Sequence, residues 1–352
     1  MCADGKSNVV IRMPMLPVRA ARAAWPFSVR VALAAALCAA AACVPGAAFA
    51  QDPPAADYPS RTVRIVPFGS AGGPIDRLAR VYAEKLVQRF GKPVIVEAKP
   101  GASGILAADA VAKAAPDGYT ILMTLPLTHI NAVILNPKLP YDPVKDFEPL
   151  TMVATGSPLL ITRADAPYSN LKEYAAFVAA KPGSSYGTWG IGSGAHLYGE
   201  LFKRQTGADI VHVPYKAEMQ NYADLYGNVL AVTWANPGSA RAQASKVKVL
   251  GVTGTRRMSL FPDAPTFAEQ GFAGFDVDSW IGLYVPARTP RAVIEKLSTA
   301  LREITRMPDV RQQLIDTGFE PLGNSPQDFL ARYLADLPRT AELIRAAGVT
   351  AE

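Results

Sequence analysis

Val63-Arg64-Ile65-Val66-Pro67-Phe68-Gly69-Ser70-Ala71-Gly72-Gly73-Pro74-Ile75-Asp76-Arg77-Leu78-Ala79-Arg80 reads as a strand, a glycine loop and a helix start in one line. Val63–Val66 is a short apolar run with the length of a buried strand. Pro74 falls where a first helical residue would, since its missing N–H costs nothing there. Ile75, Leu78, Ala79, Tyr82, Leu86 and Phe90 then recur at helical spacing, and Gly91 fits the stop. Glycines let backbone N–H groups approach a guest, and a helix start carries partial positive charge. The stretch therefore fits an anion seat. Taken alone, it fits an ordinary βα turn without a ligand equally well.

Outward from this stretch, strand-like and helix-like segments alternate. Val94–Glu97 and Tyr119–Thr124 read as strands, and Ile105–Ala115 as the helix between them. This βαβαβ order predicts a parallel sheet covered on both faces. Residues 125–147 are loop and short helix. Leu150–Val153 and Leu159–Thr162 are extended segments leading elsewhere. A second set begins with Asn170 and Glu173, a capping pair for Leu171–Ala180. Ser185–Gly190 reads as a strand, and Ile191-Gly192-Ser193-Gly194 is a second glycine loop opening a helix that Gly207 closes. Ile210–Val213, Val229–Thr233, Val247–Thr253 and Trp280–Val285 are further strands. Helices follow at Arg291–Thr305, Val310–Thr317 and Pro326–Ala347. One strand, glycine loop and helix unit in each half predicts two α/β lobes, each offering a helix start to a cleft between them.

The first 50 residues stand apart. Arg19, Arg22 and Arg30 lead into the apolar run Val31–Cys43, and Ala48-Phe49-Ala50 is a small-x-small site. That is the layout of a secretory signal peptide. The run is short for a membrane span. A membrane anchor, or a lipid anchor at Cys43, is the alternative. Gln51–Ser60 reads as a flexible leader. Cys2, Cys38 and Cys43 all precede Ala50, so the mature chain has no cysteine for a disulfide, a thiolate nucleophile or a thiolate metal site. Hydrophobic content of 49% and charged content of 19% suit a packed globular chain. Residues 1–50 hold five basic residues and one acid, so the remainder carries 31 basic and 29 acidic residues, a net charge of about +2. The charges are interspersed, with no basic block suited to nucleic acid.

Several chemical motifs stand out against this background. Gly183-Ser184-Ser185-Tyr186-Gly187 matches the Gly-x-Ser-x-Gly hydrolase elbow, but Ser185 starts a strand where the elbow needs the serine at a strand end. An exported α/β hydrolase using Ser185 and His212 is the rival from another class. Gly190-Ile191-Gly192-Ser193-Gly194 lacks the third glycine of a dinucleotide loop. His129, His196 and His212 are the only histidines, with no His-x-x-x-His pair, so neither a metal nor a cofactor is expected. Trp189, Trp234 and Trp280 end or follow strands, where they would serve either a core or a cleft wall.

The ordered motifs Tyr58-Pro59-Ser60-Arg61, Gly72-Gly73 with Asp76 and Ala79-Arg80, Ala114-Ala115-Pro116-Asp117-Gly118-Tyr119-Thr120, Leu139-Pro140-Tyr141-Asp142-Pro143-Val144-Lys145-Asp146-Phe147, Gly192-Ser193-Gly194 with His196-Leu197, Val211-His212-Val213-Pro214-Tyr215-Lys216 and Pro262-Asp263-Ala264-Pro265-Thr266 belong together. Over Tyr58 to about Gly348 they resemble the extracytoplasmic solute receptors of tripartite tricarboxylate transporters, the Bug family. The resemblance implies a two-lobed type II periplasmic binding protein, a Venus-flytrap α/β fold with a hinge of two crossings. Residues 61–160 and 281–352 would form lobe 1, and residues 161–280 lobe 2. It implies a periplasmic, monomeric receptor, not an enzyme, that hands a small organic acid to membrane transporter subunits. A receptor that serves as a signalling sensor is a further alternative. Carried over residue by residue, the resemblance implies a carboxylate held by Ala71, Gly72, Gly73, Ser193 and Gly194, with Thr128 lining the pocket and His196 opening the second helix. Two departures stand out. Gly69-Ser70-Ala71 separate Phe68 from the glycine pair. Thr233-Trp234-Ala235-Asn236 offers no acid for a ligand ammonium group. The expected ligand is therefore a non-amino carboxylate, aromatic or with an apolar tail against Trp234. Micromolar capture needs only about 8 kcal/mol.

Overall fold

In the computed structural model, which describes residues 57–216 and 218–350, β1 (Val63–Pro67) lies within the first of two sheets. It pairs in parallel with β2 (Val94–Val96) on one side and β3 (Thr120–Thr124) on the other. α1 (Pro74–Phe90) and α2 (Ile105–Ala112) are the crossovers. Pro74 opens α1, and Gly91 closes it at φ 66°, donating its amide to the Val87 carbonyl. A residue with a Cβ would be strained there, so the stop predicted from sequence has its physical cause.

The sheet is mixed: β1, β2 and β3 are parallel, as their βαβαβ order predicts, and a later strand runs against them. β4 (Phe147–Gly156) and β10 (Ser279–Pro286) run antiparallel to one another, and β10 lies between β3 and β4. β11 (Glu320–Pro321) adds an edge, giving the order β11-β4-β10-β3-β1-β2. The cause is connectivity. β10 returns from the other lobe and is free of the handedness that a strand–helix–strand crossover imposes. Between β3 and β4 lie a π-helical turn, Leu127–Asn131, and α3 (Ala132–Leu135).

The second sheet holds β5 (Leu159–Arg163), β6 (Ser184–Thr188), β7 (Ile210–Pro214), β8 (Val232–Ala235) and β9 (Val247–Val252), in the order β7-β6-β8-β5-β9. α4 (Leu171–Ala180), α5 (Gly194–Thr206), α6 (Glu218–Tyr226) and α7 (Pro237–Ala242) connect them. Asn170 caps α4 by accepting the Glu173 amide at 2.9 Å, as its sequence position predicts. β8 starts three residues later than the apolar run Val229–Thr233 suggests. The amides of Val229 and Leu230 both bond the Asp224 carbonyl, so these residues finish the turn after α6.

The chain passes between the sheets at Ser157-Pro158 and again along residues 253–278. Ser157 Oγ donates to Asp278 Oδ1 at 2.9 Å, tying the two crossings together. After β10 come α8 (Arg291–Arg306), α9 (Pro308–Asp316) and α10 (Pro326–Ala347). α10 joins both lobes. Phe329 and Tyr333 pack in one core with Trp280 and Tyr284. Leu343, Ile344 and Ala347 pack in the second lobe's core with Leu197, Leu201 and Phe202. Residues 281–352 therefore do not all belong to lobe 1. At 22 residues, α10 is about 33 Å long, enough to reach across. Pro338 sits between its two packing halves, where the missing N–H removes one helical bond.

The proposed signal peptide, most of the leader and Cys43 lie outside the described residues. Among the described residues, no helix is long and apolar enough to cross a membrane.

Candidate functional site

The first loop turns through Gly69 at φ 92° and Gly72 at φ 77°. Its amides are largely claimed by its own chain. Gly73 N–H donates to the Ser70 carbonyl at 3.1 Å, and Gly72 N–H to Asp76 Oδ2 at 2.9 Å. The Asp76 carboxylate is 1% exposed and also accepts from Arg80 Nε at 2.9 Å. Burial pushes its pKa up, but the Arg80 guanidinium and the Gly72 amide outweigh that and hold it below the usual carboxylate range. Gly72 is therefore not a free donor to a ligand: Asp76 occupies its amide. In the first turn of α1, the amides of Ile75 and Asp76 have no backbone acceptor among the described residues. The open donors thus sit just past the glycines. Ala71 and Gly72 are exposed, and Gly73 is half-buried.

The second loop is built in the same way. Ser193 caps α5, its Oγ accepting the His196 amide at 3.2 Å and donating to the Gly190 carbonyl at 2.7 Å. Gly192 N–H donates to His196 Nδ1 at 3.2 Å, which makes Nδ1 the unprotonated nitrogen of that ring. Gly194 and Ala195 open α5 with amides that have no backbone acceptor among the described residues. The His196 ring stacks on His212 with centroids 4.0 Å apart. His212 Nε2 lies 2.7 Å from Thr188 Oγ1. Burial, and then the neighbouring His196, push the His212 pKa down to about 4, so its imidazole is neutral at neutral pH.

Thr128 is fully buried. Its Oγ1 lies 2.5 Å from Thr124 Oγ1 and 2.9 Å from His129 Nδ1, so its hydroxyl serves the interior. Trp234 is 1% exposed, and its ring stacks on Phe267 at 5.6 Å within the second lobe's core. That corrects its expected place as a wall for an apolar tail. In the observed register of β8, the indole turns toward Tyr198 on α5. Trp280 is fully buried in the first lobe, whereas Trp189 is partly exposed beside the second lobe's core.

The link between the two loops runs through residues 127–135. At its near end, Thr128 Cγ2 and the Phe68 ring close on the position where Gly104 would carry a Cβ, 2.6 and 2.8 Å from it. At its far end, Asn131 Nδ2 donates to the Gly192 carbonyl at 2.8 Å. Sequence reasoning missed Asn131, because a π-helical turn leaves no periodic signature.

The other motifs do not assemble into chemistry. Ser185 Oγ donates to the Val229 carbonyl at 2.6 Å, from a strand that does not turn into a helix at that point. His212 is engaged with Thr188 rather than with Ser185. Among the described residues, no group of three or more His, Cys, Asp or Glu is placed to hold a metal. A cavity of about 910 Å³ lies beside Tyr58, Arg89, Lys92 and Glu295, away from both glycine loops.

The end of β8 does have an acid near it, supplied by α6. Glu218 accepts the Asn236 amide at 2.6 Å and the Ser239 hydroxyl at 3.0 Å. Burial pushes its pKa up by more than these hydrogen bonds pull it down, so it lies above the usual range. Between the ordinary and the raised value, the folded chain holds more protons than the unfolded one. Stability therefore falls as pH rises through that window. Glu218→Gln is expected to remove this slope and to stabilise the protein at neutral pH. Urea midpoints of the two proteins as a function of pH check it; parallel curves would refute it.

A family model described as tripartite tricarboxylate transporter family receptor matches residues 78–349. A UPF0065 protein of Bordetella pertussis is 36% identical over 83% of this chain and 91% of its own length. Protein BugT of the same organism is 32% identical over 83% of this chain and 90% of its own. Among solved structures, R. palustris Rpa4515 with adipate superposes with a TM-score of 0.77 at 30% identity, covering 84% of this chain and 100% of that one. MatC from Rhodopseudomonas palustris with bound malate gives 0.72 at 31% identity, covering 82% and 100%. The periplasmic binding protein BugD gives 0.74 at 33% identity, covering 84% and 100%.

Proposed function

This chain belongs to the tripartite tricarboxylate transporter receptor family, and from that premise we propose that it captures a small organic carboxylate in the periplasm for a membrane transporter. The observation that carries the reading is the pair of helix starts, α1 and α5, one on each sheet and both following glycine loops. Amides of Ile75, Asp76, Gly194 and Ala195 supply donors without a buried cation, and the two helix dipoles add to them. Gly73 and Ser193 shape the approach, Ala71 borders it, and His196 holds the second loop. The relatives with adipate and with malate support an acid as the ligand class.

The ligand is a carboxylate without an ammonium group. Glu218, the acid at the end of β8, has both oxygens committed to Asn236 and Ser239. The two sheets with their helices are the lobes that close on the ligand. Export by the N-terminal signal, a monomeric state and transient contact with transporter subunits complete the proposal. Capture and release need no bond breaking, so no catalytic residue is assigned.

Thermal unfolding and calorimetry with adipate, malate, benzoate, aspartate and glutamate test it. At least one of the first three should bind with micromolar affinity and raise Tm, by about 2.7 kcal/mol of stabilisation at a hundredfold excess over Kd. Tight binding of aspartate or glutamate would overturn the non-amino assignment, and silence from every acid would overturn the carboxylate reading.

A further inference from the structure

We infer that Asn131 is a positioning residue that holds the two lobes shut on each other, a latch rather than a ligand contact. The inference rests on the receptor reading above. By chain position Asn131 belongs to the first lobe, in the turn between β3 and α3. Its carboxamide is bonded to the second lobe: Nδ2 donates to the Gly192 carbonyl at 2.8 Å, and the residue is only 5% exposed.

Both ends of this bond are rigidly mounted. On the first lobe, the Thr128 carbonyl accepts from the Tyr141 hydroxyl at 2.8 Å, and the His129 carbonyl from the Tyr333 hydroxyl at 2.9 Å. The His129 ring is buried and stacked on Tyr284 with centroids 4.4 Å apart. The turn therefore moves with the first lobe. On the second lobe, the Gly192 amide is held by His196 Nδ1, and the next residue caps α5. The Gly192 peptide moves with α5. An Asn131–Gly192 bond thus exists only when the lobes are together.

Packing around the bond supports the same role. Ile134 and Leu135 on α3 pack against the second lobe's core. Leu135 Cδ1 lies 3.0 Å from where a Cβ on Gly192 would be, and Gly192 has φ 73°. Glycine lets the second loop come this close to α3 and present its carbonyl to Asn131. On opening, water replaces both partners, so the net contribution of the bond is small. That suits a latch, which must release. A bond of this kind biases the ratio of closed to open by roughly three- to tenfold.

The test uses the full mature chain, with spin labels or fluorophores placed one on each lobe, together with small-angle scattering. In the ligand-free protein, Asn131→Ala should lengthen the interlobe distance and raise the radius of gyration. Asn131→Asp, of nearly the same shape, should do so at least as strongly, because its carboxylate faces the Gly192 carbonyl. With adipate as the probe, dissociation should quicken roughly three- to tenfold while association stays unchanged. A residue that only supported the fold would alter stability without this split. Leu135→Ala keeps the bond and removes the cover, and should open the molecule partly. Ligand-free dimensions of Asn131→Ala and Asn131→Asp equal to the parent's would overturn the latch. If the variants open the ligand-free molecule while no acid binds the parent, the latch stands and the carboxylate reading fails.

Discussion

Gly199→Val is expected to lower stability by about 1–3 kcal/mol or more, and to abolish ligand capture with it. Gly199 lies in α5, facing β6. A Cβ there would sit 2.1 Å from Tyr186 Cε2 and 2.5 Å from Cζ. The Tyr186 ring has no room to yield. It is 1% exposed, its hydroxyl donates to Glu200 Oε1 at 2.7 Å, and its ring stacks on His212 at 5.2 Å. Relief requires either losing that hydrogen bond or lifting α5 from the sheet. The second route displaces Ser193 and Gly194, which open the same helix. Thermal stability and calorimetric affinity for whichever acid of the panel binds the parent should therefore fall together, with alanine giving the same direction and a smaller loss. A variant whose Tm and affinity match the parent's would show that α5 does not seat on Tyr186 as described.

The second large effect concerns the ligand. Converting the captured carboxylate to its primary amide is expected to weaken binding by about 100-fold or more, equal to about 2.7 kcal/mol. The donors at the starts of α1 and α5 are neutral N–H groups. Bonds from such groups to an anion are roughly twice as strong as those to a neutral acceptor. A carboxamide also turns one acceptor into a donor, which sets N–H against N–H at one contact. The helix dipoles lose their charge partner as well. Calorimetry of the best acid from the panel beside its amide decides the matter. Near-equal affinities would mean that the binding energy comes from apolar contact, and the anion cradle would have to be abandoned.

Much of this architecture is legible in the sequence. Pro74 and Gly91 bracket α1, Asn170 caps α4, Ser193 opens α5 and Gly207 closes it, each through interactions confined to one helical turn. Apolar runs located nearly every strand. The two glycine loops, and the ordered motifs around them, mark the family. Such features are local, so a linear sequence carries them in full.

What lay beyond the sequence is what depends on which surface meets which. Trp234 at a strand end fits a cleft wall or a core equally well in sequence terms. Packing against Phe267 and Tyr198 put it in the core. Gly72 looked like an open donor until folding brought the Asp76 carboxylate to its amide. The sequence places a helix at Pro326–Ala347, but only the folded chain divides its apolar residues between two lobes. The Asn131–Gly192 bond spans 61 residues and two sheets. Local spacing sets hydrophobic faces, caps and turns, whereas the partner of each face is chosen by the packing of the whole chain, and no short window of residues contains that information.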